Sequence, residues 1–348
     1  MAGTAKEGRS VRTPVQSSKY LDIAIKVAVA MLVAALVFLV YSLTSTKLRD
    51  QRTSPAARAA QNLIEAVNAD PNNPVARLRL ADALLAAGDQ RGATEQYQEV
   101  LLLSKDDPGA LAGLATIAMD QGEWRTAEGH WRKIIDVLRT GQYANIDQRL
   151  EKAYYYLGST LMEVKEYEEA ARYLKEALRL RPGASDSHFL LGVAYREMDS
   201  PMKYREEVEL ALQFDPLLPE ANLELGKILL ADGDVAGAAE RFRVSADHAP
   251  PERPEPAKEL AKLGTAEERL ATSERLLGEG KRRDALVEAR VAAAIDPANI
   301  RASRLIAQLH EQLGEKEFAR EAWERVLTVA PGDEEAKEAV KRLEGKSE

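Results

Sequence analysis

Residues 154–182 read YYYLGSTLMEVKEYEEAARYLKEALRLRP, and their spacing decides the fold. Apolar residues recur every three or four positions on both sides of a break at Lys165 and Glu166, the period of two amphipathic helices joined by a tight turn. Leu157 and Gly158 lie in the first segment, and Ala170, Leu174 and Ala177 in the second. Helices approach closely only where both carry small residues, so Gly158 and Ala170 mark the crossing and Leu174 fills the space beside it. Pro182 stops the second segment, because proline lacks the N–H and clashes with the preceding turn.

Worked outward from this stretch, the pattern returns at a fixed period. Blocks 151–184, 185–218 and 219–252 abut, two more fit at 74–107 and 108–141, and two fit at 266–299 and 300–333. A half unit precedes them at about 55–71 and a capping helix follows at about 334–343. The Ala170 position holds Ala59, Ala93, Ala127, Tyr204, Ala238, Ala285 and Ala319 in the other units, and the Gly158 position holds only small residues. Prolines close most units, at Pro71, Pro182, Pro216, Pro250, Pro297 and Pro331. Gly88, Gly122, Gly233, Gly280 and Gly314 share one offset, where glycine supplies a left-handed helix end. A pair of helices cannot bury its faces alone, and stacking neighbours makes a continuous core.

This pattern resembles the tetratricopeptide repeat family over about residues 55–343, with the best match in 151–184. Tyr204 in place of the packing alanine, and Lys105 and Arg139 where proline is expected, depart from it and are expected to loosen their units. The resemblance implies an all-α, right-handed superhelical solenoid whose first helices line a concave groove for proteins or peptides. It places that groove on the second, fifth, ninth, twelfth and thirteenth residues of each unit. These are Lys152, Tyr155, Ser159, Met162 and Glu163, then Asp186, Phe189, Val193, Arg196 and Glu197, then Glu220, Leu223, Lys227, Leu230 and Ala231. The carboxylate clamp of chaperone-binding relatives needs a basic and asparagine set that these positions lack. They form instead an apolar track, Tyr155, Met162, Phe189, Val193, Leu223 and Leu230, edged by charges of both signs, and a track left bare in water calls for a cover.

Two places break the phase. At 142–150, QYANIDQRL, Asn145 with Gln148 resembles a capping box and predicts a helix starting near Ile146, over a turn earlier than in the other units. At 253–265, RPEPAKELAKLGT, Pro254 and Pro256 interrupt the chain, AKELAKL fits a two-turn helix, Gly264 ends it, and Thr265 with Glu268 caps the next one. The second stretch reads either as a tolerated insertion or as a joint between the array 55–252 and the block 266–343, with few apolar contacts crossing it.

Ahead of the repeats, residues 27–46 carry no charge. Twenty helical residues span about 30 Å, the thickness of a bilayer core. Tyr20 and Tyr41 suit the two interfaces. We expect a transmembrane helix over 19–46, a disordered basic tail at 1–18, a linker at 47–54 and a short tail at 344–348. The residues after the span lack a good small-x-small cleavage site, which favours an uncleaved anchor over a signal peptide. Five Lys or Arg precede it and four follow, a bias toward a cytoplasmic N-terminus and an extracytoplasmic repeat domain.

The net charge is −8, distributed unevenly. Residues 1–52 hold eight Lys or Arg against Glu7, Asp22 and Asp50, a net of +5, which leaves −13 on the remainder. An acidic body argues against nucleic acid, whose binding needs basic groups. The chain has no cysteine, which excludes disulfides, thiolate metal sites and lipid-modified cysteine. His130, His188, His248 and His310 lie in separate units without metal spacing. Lys281, Arg282 and Arg283 form a lone basic turn. No phosphate loop, nucleophile elbow or other catalytic pattern appears, so we expect no enzyme, no cofactor and no metal. The leading expectation is a membrane-anchored scaffold that recruits a protein partner in assembly of a cell-envelope or membrane complex. A structural stalk, self-assembling or part of a multi-protein membrane machine, is the alternative.

Overall fold

The computed structural model describes residues 55–344 and, before them, residues 26, 29, 32, 33, 35, 36 and 39, which are helical and exposed. The expected tail 1–18, linker 47–54 and most of the expected span 19–46 lie outside the described residues, as does the tail beyond Glu344. Among the described residues no helix is long and apolar enough to cross a membrane. Among them, too, every regular element is helical. The chain divides between Ile117 and Ala118 into two compact units.

The first unit holds α1 (Pro55–Ala69), α2 (Pro74–Ala86), α3 (Gln90–Leu103) and most of α4 (Pro108–Asp120). Asn73 caps α2 by accepting from the Ala76 amide at 3.1 Å, satisfying a donor that no helical carbonyl reaches. Ala81, Ala93, Tyr97, Val100, Ala110 and Ile117 form its core. Ala60 rather than Ala59 is buried on α1. The small packing position faces a first helix of its own unit, and none precedes α1 among the described residues, so Ala59 stays exposed.

The second unit continues with α5 (Trp124–Leu138), a 3-10 turn (Ala144–Ile146), α6 (Gln148–Glu163), α7 (Tyr167–Leu180), α8 (Ser185–Glu197), α9 (Pro201–Phe214), α10 (Pro219–Ala231) and α11 (Val235–His248). It ends with α12 (Glu255–Ala261), α13 (Ala266–Gly278), α14 (Arg282–Ile295), α15 (Ile300–Leu313), α16 (Lys316–Val329) and α17 (Glu334–Glu344). Helices α6 and α7, α8 and α9, α10 and α11, α13 and α14, and α15 and α16 pair as antiparallel neighbours. At these crossings Ala170, Ala238, Ala285 and Ala319 are fully buried. A Cβ on Gly226 would lie 2.5 Å from the Phe242 ring, which is why that crossing takes glycine. The expected glycines end first helices with φ between 73° and 86°.

Three departures have local causes. The helix after the insertion starts at Gln148, not near Ile146: Asp147 caps it by accepting from the Arg149 amide at 2.8 Å, while Asn145 lies in the 3-10 turn. Tyr204 leaves no gap, since it is buried and its hydroxyl donates to Glu224 of the next unit. At 253–265 the short helix and the Thr265–Glu268 capping box form as expected. The expectation that few apolar contacts cross this stretch does not match the structure. Ala236, Ala238, Ala239 and Phe242 on one side meet Leu260, Leu263, Val291 and Ala294 in one cluster, and Arg290 bridges to Glu240 at 2.8 Å.

Candidate protein-binding groove

The groove residues lie on α6, α8 and α10, the first helices of three successive units. Spacings of three and four put them on one stripe of each helix. The adjoining stripe, with Leu157, Leu161, Leu191, Ala194 and Leu225, is buried and anchors each helix to the core. The apolar track is therefore half-covered rather than bare. Tyr155, Met162 and Phe189 are partly buried against the cluster built on Leu174, Leu191 and Val208, and Leu223 packs on the cluster around Phe242. Val193 and Ser159 are half-buried, and Leu230 is 37% exposed.

The charges divide into two sets. Arg196 reaches Glu197 and Glu224, each at 3.1 Å, and Lys227 reaches Glu224 at 2.7 Å. Glu220 pairs with Arg253, brought in from the stretch before α12. Lys152, Glu163 and Asp186 are exposed and have no partner among the described residues. Burial opposes ionisation of Glu224, but hydrogen bonds from Lys227 and Tyr204 and the nearby charges of Lys227 and Arg196 more than offset it and hold its carboxyl below the usual range. Burial, then the charge of Asp186, pushes the Tyr155 hydroxyl up.

Sequence reasoning missed two features. Glu224 and Tyr156 occupy the sixth place of their units, outside the five groove positions, yet Glu224 collects three donors, and Tyr156, 39% exposed, stacks on Trp131 at 5.0 Å. The second is a polar clamp at the fourth place. His188 lies 2.9 Å from the Pro182 carbonyl and 2.7 Å from Glu207. Asn222 donates to the Pro216 carbonyl at 2.9 Å and accepts from Arg241 at 3.2 Å. Arg269 donates to the Leu263 carbonyl at 2.6 Å and to Glu288 at 2.9 Å. Each ties the inter-unit loop to both helices of its pair. A polar residue six places after the closing proline is the signal that could have found His188 and Asn222.

The remaining sequence candidates serve local packing. His310 bonds Glu315 at 2.7 Å and stacks on Phe318, and His248 meets the Val244 carbonyl at 2.9 Å. His130 is half-buried, and burial with the charge of Lys133 lowers its pKa. Lys281 and Arg283 are bridged to Glu279 and Glu315, and Arg282 donates to Gln312. Among the described residues no cluster of His, Asp or Glu could hold a metal ion.

Comparison with known proteins places these helices in context. The tetratricopeptide repeat family model matches residues 151–184. Cellulose synthase operon protein C of Xanthomonas axonopodis pv. citri (strain 306) is 26% identical over 184 residues, which is 52% of this chain and 12% of that protein. The chain thus spans only a small part of that relative's length. Among solved structures, Pseudomonas aeruginosa pilF is 18% identical with a TM-score of 0.45 over 79% of this chain and 97% of its own. YrrB, described as a TPR protein with an unusual peptide-binding site, is 17% identical with a TM-score of 0.45, covering 59% of this chain and all of its own. MamA is 23% identical with a TM-score of 0.42, covering 53% of this chain and 97% of its own. Residues 151–184 are thus similar to a tetratricopeptide repeat, and the helix pairs that follow them repeat the same pairing.

Proposed function

We propose that the chain is a non-enzymatic scaffold that holds a protein or peptide partner in the groove of α6, α8 and α10, tethered to a membrane by residues 19–46, and that it serves assembly of a cell-envelope or membrane complex. One observation carries the reading: Tyr155, Met162, Phe189, Val193, Leu223 and Leu230 form a run of accessible apolar side chains on successive first helices. An amphipathic helix or extended segment fits such a run, with its apolar residues on the track and its charges on the rim. Aromatic anchors of this kind commonly carry about 2 kcal/mol or more each at an interface. The uncharged run at 27–46 supports the tether, and the five-to-four basic bias supports repeats outside the cytoplasm.

Affinity capture from native membranes tests the groove. Tyr155→Ala with Phe189→Ala should abolish partner recovery while helical content stays near wild type. Because both rings also pack on the core, Leu230→Asp, at a more exposed place, is the companion variant and should weaken recovery. Undiminished recovery by both folded variants would place the surface elsewhere. Protease added to spheroplasts should digest residues 55–348; full protection there would reverse the orientation.

A further inference from the structure

Two repeat positions face each other across the gap between successive second helices. In one instance they hold Arg132 on α5 and Glu169 on α7, which bridge at 3.0 Å. Arg132 also lies over the Tyr173 ring at 5.5 Å and donates to its hydroxyl at 2.7 Å. One unit further on the corresponding residues are Lys175 on α7 and Lys203 on α9, so a lysine stands where the acid stood. Both ammonium groups gather on one ring, Lys175 at 5.4 Å and Lys203 at 5.2 Å from the centre of Tyr195 on α8. Both lysines are exposed, and neither has an ion-pair partner among the described residues. Asp199 and Glu206 lie close to Lys203 in the chain, yet neither reaches it. Tyr195 is only 6% exposed, and no described residue hydrogen-bonds its hydroxyl. The hydroxyls of Tyr97, Tyr173 and Tyr204, by contrast, all have partners.

Like charges brought to one ring repel each other, and a nearly buried hydroxyl without a partner forgoes a hydrogen bond. We infer that the gap between α7 and α9 takes a dianionic phosphate group, with Lys175 and Lys203 on its oxygens and the Tyr195 hydroxyl as a third donor. A phosphate monoester carries about −1.5 to −2 charges at neutral pH on three acceptor oxygens, which matches two ammonium groups and one hydroxyl. A single carboxylate would neutralise only one lysine. Lysine is a point charge on a flexible stem, so both can turn from the ring toward its hydroxyl edge. Because the lysines are exposed, salt screens the attraction and binding weakens as ionic strength rises. The site lies outside the groove positions and stands independently of the groove reading.

The test melts the full chain in phosphatidylcholine nanodiscs at constant ionic strength, following helical content. Inorganic phosphate should raise the midpoint by binding the folded state, and acetate should not. Lys175→Ala and Tyr195→Phe should each raise the apparent Kd for phosphate at least about threefold. Lys203→Glu restores the arrangement of Arg132 and Glu169. Its midpoint without phosphate should exceed that of the wild type, and its response to phosphate should vanish. A wild type that ignores phosphate, or a Lys203→Glu variant that responds as the wild type does, would overturn the site. A Lys203→Glu midpoint no higher than the wild type would overturn the repulsion on which the site rests. An equal response to acetate would overturn the phosphate. Nanodiscs containing phosphatidic acid, without added phosphate, separate the two sources of the group. A wild-type midpoint raised there, and not raised in Lys203→Glu, assigns it to a lipid headgroup; a midpoint that responds to inorganic phosphate alone assigns it to a soluble phosphate.

Discussion

The fifteenth residue of each unit carries the left-handed backbone that ends the first helix, and in two units it is not glycine: Lys165 has φ 63° and Asp199 has φ 52°. A side chain in that region costs about 1–2 kcal/mol, and glycine gives back roughly half of the gain through its freer unfolded state. Lys165→Gly should therefore raise stability by about 0.5–1 kcal/mol. Asp199→Gly should gain less, because aspartate tolerates this conformation better. A lowered thermal midpoint for Lys165→Gly would mean that the side chain supports the turn. Glu224 sets a pH dependence. Burial alone would raise its pKa, yet its donors hold it below the ordinary glutamate value of about 4.3. A carboxyl depressed in the folded state contributes stability that is fully present above the unfolded value and is lost as pH falls through the folded one. The melting midpoint should fall as pH drops from about 5 to about 3, and Glu224→Gln should lower the midpoint at neutral pH and flatten that acid slope. Glu128, Asp147 and Asp333 shift in the same direction, so the slope lessens without vanishing. An unchanged slope in Glu224→Gln would place the acid sensitivity in those groups.

Helices, turns and closing prolines were legible because each depends on chemistry a few residues long. Gly88 or Gly314 at a helix end, Pro182 after one, and Thr265 with Glu268 before one need no knowledge of distant partners. Contacts between elements were not legible in the same way. The Tyr204 hydroxyl finds Glu224 twenty positions away, on the next first helix, and no period announces that pair. The half-burial of Tyr155 and Phe189 follows from how α6 and α8 sit on α7 and α9, whereas periodicity reports only that they share a stripe. Asn145 looked like a cap because Gln148 follows by three, but Asp147 sits closer to the helix and satisfies its first donors. At 253–265 the prolines marked the irregular backbone correctly, yet they carried no information on Leu260 and Leu263, which reach back to Phe242 and forward to Val291. Leu260→Ala and Leu263→Ala should each cost about 2–4 kcal/mol in chemical denaturation, as buried leucines do. A loss under about 0.5 kcal/mol would be that of surface positions and would restore the reading of 253–265 as a loose joint.

At the scale of the molecule, residues 151–252 combine three things that single helices cannot: a repeated crossing, a clamp that fixes each loop, and a stripe of accessible apolar side chains on three successive first helices. In the proposed function, the uncharged run at 27–46 would hold that stripe at a membrane. The central claim is that a partner lies on this stripe, and site-specific photo-crosslinking in native membranes tests it most directly. A benzophenone amino acid is placed singly at Lys152, Arg196 and Leu230 on the first helices, and at Glu168, Glu206 and Glu240 on the exposed faces of second helices. The account predicts one common adduct from the three first-helix positions and none from the others. Adducts formed only from Glu168, Glu206 or Glu240 would contradict it.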